Sequence, residues 1–139
     1  MFFYHSFLPE IIRIAQLAGN EILKISQQDF TVHYKNDDSP VTAADMAAQA
    51  VIMPRLRALT PDIPIVSEES NDNDVQAKPI FWLVDPLDGT REFVKKSDEY
   101  AVCIALIIDF YPVLGVIYAP ATGELYSAAQ GLGAFCETP

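Results

Sequence analysis

An apolar run, Phe81-Trp82-Leu83-Val84, gives way without a spacer to Asp85-Pro86-Leu87-Asp88-Gly89-Thr90. Asp followed by Pro favours a type I turn. Such a turn would draw the carboxylates of Asp85 and Asp88 together and let the Leu87 carbonyl turn inward. Gly89 allows the backbone to approach a ligand closely. Thr90-Arg91-Glu92-Phe93 reads as the start of a short helix, whose free N–H groups favour an anion. Glu68 and Glu69 also stand directly after a short apolar run, and strand ends in one sheet can meet. Asp45 lies near the start of an alanine-rich helical segment, and Thr90 adds a hydroxyl beside the acid pair.

Each feature has a plainer reading alone. Asp88 could cap the short helix, paired glutamates are usually solvated, and Asp45 suits the helix dipole as a first-turn acid. Together they imply more. Ionised carboxylates cannot crowd without compensation, and hard divalent cations supply it. Magnesium prefers oxygen ligands and keeps waters, which leaves room for phosphate oxygens. Two such ions about 4 Å apart can activate a water and stabilise a leaving oxygen. The chemistry expected of this set is metal-assisted hydrolysis of a phosphate ester.

The elements that must position these groups are legible in part. Residues 9–26 carry Ile11, Ile14, Ala15, Ala18, Ile22 and Ile25 at spacings of three and four, an amphipathic helix with Pro9 in its first turn and Gly19 at a close-packing point. Phe30, Val32 and Tyr34 alternate as in a short strand, followed by loop chemistry in NDDSP. Thr42 suits an N-cap for the alanine-rich helix. Pro54 is expected to kink that helix or end it early. IPIVSEES and FWLV read as buried strands. AVCIALIID and VLGVIYAP form an antiparallel hairpin about Phe110, Tyr111 and Pro112, and ELYSAAQ pairs with AFCE across GLG. Helices first and strands later imply an α+β fold. The closing strand would leave an open sheet edge, which suggests a larger original design.

The chain has 139 residues, of which 50% are hydrophobic, enough for one domain with a core. Its formal charge of −10 repels polyphosphate backbones, so a nucleic-acid polymer is not an expected partner. Bound cations would still admit small phosphorylated substrates. Cys103 lies in an apolar run and Cys136 near the end, with no metal-ligand spacing. A reducing, cytoplasmic setting follows as the default. No stretch approaches the roughly 20 apolar residues of a membrane span, and the chain is read as soluble. Trp82 is assigned to the core, and His5 and His33 to the surface or loops. Lys95 and Lys96 are assigned to a solvated loop that could also attract an anionic substrate.

NDDSPVTAADMAA, PIVSEES, WLVDPLDGTREF and VLGVIYAP occur in one order over nearly the whole chain. In that combination the chain resembles the magnesium-dependent, lithium-sensitive superfamily of inositol monophosphatases. Leu87, followed by Arg91-Glu92-Phe93, resembles its 3′(2′),5′-bisphosphate nucleotidase (CysQ) branch. The resemblance implies the first half of that fold: amino-terminal helices packed on a mainly antiparallel sheet, with residues 1–139 as the amino-terminal domain and the carboxy-terminal half absent. It implies two or three Mg²⁺ ions. Glu68 would bind the first, Asp85 would bridge the first and second, the Leu87 carbonyl would complete the first site, and Asp88 would hold the second. Glu69 would hold an outer third ion through water. Asp45 would orient the Thr90 hydroxyl, and that pair, with Glu68, would form the catalytic group that readies the attacking water. Leu87, Asp88, Gly89 and Thr90 would line the substrate phosphate, and Lys35 would close over it. The implied substrate is adenosine 3′,5′-bisphosphate, or its sulfated form, in sulfur metabolism, with a homodimer as the implied assembly and the cytoplasm, or the inner face of the membrane, as its location. Two alternatives stand beside it: an inositol monophosphatase, and an inactive metal-binding or interaction remnant lacking a further aspartate ligand.

Overall fold

In the computed structural model, residues 4–28, 31–36, 40–68 and 78–139 are described. The chain opens with a short 3₁₀ turn, Tyr4–Phe7, and continues into helix α1, Leu8–Ser26. Strands β1, Val32–Tyr34, and β2, Pro40–Thr42, form a small antiparallel pair. Helix α2 spans Ala43–Leu59 and leads to strand β3, Ile65–Ser67. Strand β4, Ile80–Asp88, is followed by the one-turn helix α3, Thr90–Val94. Strands β5, Ala101–Ile108, β6, Tyr111–Ala119, β7, Glu124–Ala129, and β8, Gly133–Glu137, complete the chain. The main sheet follows chain order, β3-β4-β5-β6-β7-β8, with β3 parallel to β4 and the other pairs antiparallel. This is the α+β arrangement expected from the sequence.

Both helices cover one face of the sheet. Ile11, Ile14, Ala18 and Ile22 of α1 are fully buried, as are Ala44, Ala48, Ile52 and Leu56 of α2. They meet Trp82, Val84, Val102, Ile104, Leu106, Leu114, Val116 and Leu125 from alternate positions of the strands. Removing such side chains from water contributes roughly 1.5–3 kcal/mol each and dominates the stability of a domain this size. Trp82 is fully buried, and its indole donates to Thr60 Oγ1 at 2.8 Å, so the one polar atom of the ring is satisfied. The opposite face carries a small apolar cluster of Val66, Phe81 and Ile107, and exposes Leu83, Ile117 and Tyr126. No helix among the described residues is long and apolar enough to cross a membrane.

Two local expectations fail for identifiable reasons. Pro54 neither ends nor shortens α2, which runs on to Leu59. Pro54 and Ala50 are both exposed, so the carbonyl that loses its helical donor faces water. Buried Ile52, Met53 and Leu56 hold the helix to the core on both sides of the proline. The β5–β6 hairpin turns at Asp109 and Phe110, with φ of 49° and 70°, while Tyr111 and Pro112 belong to β6. A two-residue turn with both φ positive matches the twist of the flanking strands.

At Gly19, α1 lies close against the sheet. A Cβ built there would lie 2.5 Å from the Tyr118 ring of β6 and 3.1 Å from Pro120. Gly19→Val should therefore lower stability by about 1–3 kcal/mol, the usual penalty of overpacking. Combining it with Tyr118→Ala should recover part of that loss, as read from urea denaturation midpoints. Strict additivity of the two changes would contradict this close approach.

Candidate active site

The acids gather because two neighbouring strands end in register. Ser67 of β3 pairs with Val84 of β4 in parallel, so Glu68 and Asp85 occupy equivalent next positions, and the Glu68 N–H donates to the Val84 carbonyl at 3.0 Å. Side chains at equivalent positions of adjacent parallel strands project from the same face. That face is the one without helices, since Asp85 is opposite Cys103, whereas Val84 is opposite core residue Ile104.

Asp85 and Asp88 reach one side by a bulge rather than the expected type I turn. Asp85 pairs with Cys103 and Asp88 with Ala101, so three steps along β4 match two along β5. Residues three apart on a regular strand point to opposite faces. The extra residue restores parity and turns both carboxylates the same way. Pro86 fits at this point because a bulge removes the requirement for a ladder N–H.

Gly89 ends the strand with φ of 89°, and a Cβ there would sit 2.7 Å from the Glu99 carbonyl. Both facts demand glycine. Gly89, rather than Asp88, is the N-cap of α3, which makes no side-chain cap bond. The helix is anchored by buried Phe93, whose ring meets Tyr100 edge-on at a centroid distance of 5.2 Å.

Behind this corner lies Asp45, 1% exposed. Its Oδ2 accepts from the Thr42 N–H at 2.8 Å and from Thr42 Oγ1 at 2.7 Å, and its Oδ1 accepts from Thr90 Oγ1 at 2.8 Å. Thr42 Oγ1 in turn accepts from the Ala44 N–H at 3.1 Å and from the Asp45 N–H at 3.5 Å, the second of these closing a capping box at the start of α2. The Thr90 hydroxyl also lies 3.1 Å from the Leu87 carbonyl. It has one proton to give, and the shorter contact directs it to Asp45. Its lone pairs are then left to accept from a water in the cavity.

Lys35, Glu68, Asp85, Leu87, Asp88 and Thr90 share a cavity of about 550 Å³. Gly89, Arg91, Glu92 and Glu99 complete its wall. The Leu87 side chain is buried in the core, so what it offers the cavity is its main chain. Asp45 sits behind Thr90 and does not line the cavity. Glu69 lies outside the described residues. Ser67 Oγ donates to Gln49 Oε1, tying the strand end to α2. The sequence pattern did not single out Arg91, Glu92 and Glu99 as wall residues. Only the helical offset of Arg91 from the acids could have signalled it.

The donor set is all oxygen: three carboxylates and one carbonyl, which suits a hard divalent cation. The carboxylates stand somewhat apart: among the described residues, no three His, Cys, Asp or Glu side chains sit close enough to hold an ion by themselves. The electrostatic mark of the site appears at Cys103, where burial, then the charges of Asp88 and Asp85, push the thiol up to about 12. Both cysteines are free.

Burial, then the charge of Asp98, raises the Tyr100 hydroxyl above its ordinary value of 10.0, while a hydrogen bond with Ser26 opposes the shift. The neutral phenol therefore stabilises the fold below pH 10, and that contribution is lost as pH rises through the raised value. The stability difference between the parent and Tyr100→Phe should shift in favour of the variant between pH 9 and 12. A pH-independent difference in denaturation midpoints would refute it.

A family model described as the inositol monophosphatase family matches residues 4–139. The 3′(2′),5′-bisphosphate nucleotidase CysQ of Escherichia coli O6:H1 is 49% identical over 128 residues, covering 89% of this chain and 52% of that protein. The crystal structure of CysQ from Bacteroides thetaiotaomicron superposes with a TM-score of 0.83 at 36% identity, over 99% of this chain and 51% of the other. The extragenic suppressor protein suhB of Bartonella henselae gives 0.87 at 30% identity, over 95% and 52%. A structure described as an IMPase/NADP phosphatase complexed with Mg²⁺ and phosphate gives 0.75 at 26% identity, over 96% and 48%. The chain thus spans about half the length of the curated relatives it matches.

Proposed function

The chain belongs to the inositol monophosphatase family, and on that premise we propose that it carries the metal-binding and water-positioning part of a Mg²⁺-dependent phosphomonoesterase. The substrate of this reading is adenosine 3′,5′-bisphosphate, cleaved to AMP and phosphate, with the sulfated analogue as a second candidate. In the same reading, residues 1–139 correspond to the amino-terminal half of the enzyme, which acts in the cytoplasm. The observation that carries it is the parity of the acids: Glu68, Asp85 and Asp88 turned to one face and into one cavity with Thr90. The similarity to relatives named as bisphosphate nucleotidases supports the substrate class.

In this reading Glu68, Asp85, the Leu87 carbonyl and Asp88 hold two Mg²⁺ ions, with Glu69 toward a third. Magnesium bound there would supply positive charge to the phosphoryl oxygens and acidify the attacking water. Asp45 keeps the Thr90 proton pointed inward, so Thr90 Oγ1 accepts from the water and aims its oxygen at phosphorus. The buried capping box prevents Asp45 from rotating away. Gly89, Thr90 and Lys35 line the same cavity, and in this reading the N–H groups of Gly89 and Thr90 hold phosphate oxygens while Lys35 closes over them.

Phosphate release from adenosine 3′,5′-bisphosphate should require Mg²⁺, stop with EDTA, and exceed release from inositol 1-phosphate. Titration calorimetry gives a second readout that needs no turnover. Mg²⁺ should produce binding heat with the parent chain and little with Asp85→Asn. If the parent takes up no Mg²⁺ at millimolar concentration, the reading fails. Thr90→Val should bind Mg²⁺ normally while losing on the order of 10²-fold or more in turnover.

A further inference from the structure

Of Glu68, Asp85 and Asp88, Glu68 has the slightest support from the sheet. It follows β3, a strand of 3 residues at the edge of the main sheet that pairs with β4 alone. Asp85 and Asp88 belong to the 9-residue β4, which lies between β3 and β5. Local opening begins where ladder bonds are fewest, so β3 needs another anchor if Glu68 is to keep its place.

Helix α2 supplies anchors at both ends of β3. At the entry, the Trp82 N–H donates to the Pro64 carbonyl at 2.8 Å and the Trp82 indole donates to Thr60 Oγ1. Thr60 Oγ1 donates in turn to the Leu56 carbonyl of α2 at 3.1 Å. At the exit, Ser67 is 3% exposed and its Oγ donates to Oε1 of Gln49. Ser67 pairs with core residue Val84, so its side chain turns toward the helices, and that of the next residue, Glu68, turns the opposite way into the cavity.

Gln49 follows Asp45 by four residues, one turn further along the same side of α2. The helix therefore carries two holds in line. Asp45 accepts from Thr90 at the corner after β4, and Gln49 accepts from Ser67 at the end of β3. Side chains at that spacing start about 6 Å apart, a distance set by the helix and not by the loops it holds.

We propose that Gln49 is a positioning residue: by holding Ser67 it fixes where Glu68 stands relative to Asp85, and so sets the affinity of the acid cavity for its divalent cation. This rests on the phosphomonoesterase reading above and gives a role to a residue that does not line the cavity. An amide oxygen suits the task, since it accepts from Ser67 without adding another negative charge behind the acids. Without the hold, Glu68 has to be ordered at the moment the cation binds. That cost weakens binding and leaves the chemical step of a filled site nearly unchanged.

The test uses Mg²⁺ titration calorimetry together with hydrogen exchange of the Glu68 amide, which donates to the Val84 carbonyl. Gln49→Leu should raise the Mg²⁺ dissociation constant about five- to tenfold, the loss expected for one hydrogen bond. It should also speed exchange at Glu68 while the amides of β5 keep their protection. Turnover at saturating Mg²⁺ should stay within about twofold of the parent. Ser67→Ala should reproduce the loss, and the double variant should lose no more than either single change. Ser67→Thr keeps the hydroxyl and should keep the affinity. A lowered melting temperature with parent Mg²⁺ affinity would mark a merely structural bond and overturn the proposal, as would losses that add in full. In either case the enzyme reading survives. If the parent takes up no Mg²⁺, that reading and the role of Gln49 fall together.

Discussion

A carboxylate at 1% exposure must find donors within the protein or cost several kcal/mol. Asp45 finds them in two places that have nothing else in common. One oxygen closes the first turn of α2 through Thr42, and the other holds Thr90 at the far end of β4. The same group therefore starts a helix and fixes the corner where the strand becomes α3. The main chain from Leu87 to Thr90 is placed by this bond, by the Gly89 turn and by the Phe93–Tyr100 pair. The cavity inherits its geometry from buried contacts rather than from the acids that line it.

The sheet separates two jobs by parity. Alternate residues of β4 and β5 build the core under the helices, and the remaining ones build the face that bears Asp85 and Leu83. A strand with regular alternation could not place Asp85 and Asp88 on one face. The bulge solves this with a single extra residue and leaves Leu87 buried in the core between the two acids. A core residue thus anchors the carbonyl that the proposed metal site would use.

Much of this is legible in the sequence because it is local. The periodicity of α1, the Thr42 cap, the Trp82 burial and the pairing of the last strands follow from spacing and residue type, and all appear in the structure. The bulge is not legible, since it is defined by where β5 lies opposite β4, and Asp-Pro reads locally as a turn. The persistence of α2 through Pro54 is hidden for a similar reason: local preference argues for a break, and burial of Ile52, Met53 and Leu56 overrides it. By residue type alone, Lys95 and Lys96 are loop charges. That Arg91 lines both the acid cavity and a smaller one shared with Tyr34 is invisible in the sequence, because it depends on the small β1–β2 pair approaching α3.

The order of strands in the main sheet matches their order in the chain. β5 returns beside β4 after residues 89–100, which hold α3, and each later strand meets its predecessor across a short turn, so no strand has to be inserted between two already in place. Loop-closure entropy grows slowly with length but weighs most on contacts between distant segments. Here that burden falls on α1, which must dock on β6 from near the opposite end of the chain. The tight fit of Gly19 beneath Tyr118 is thus a clasp between the beginning and the later part of the polypeptide, where the topology concentrates its entropic demand.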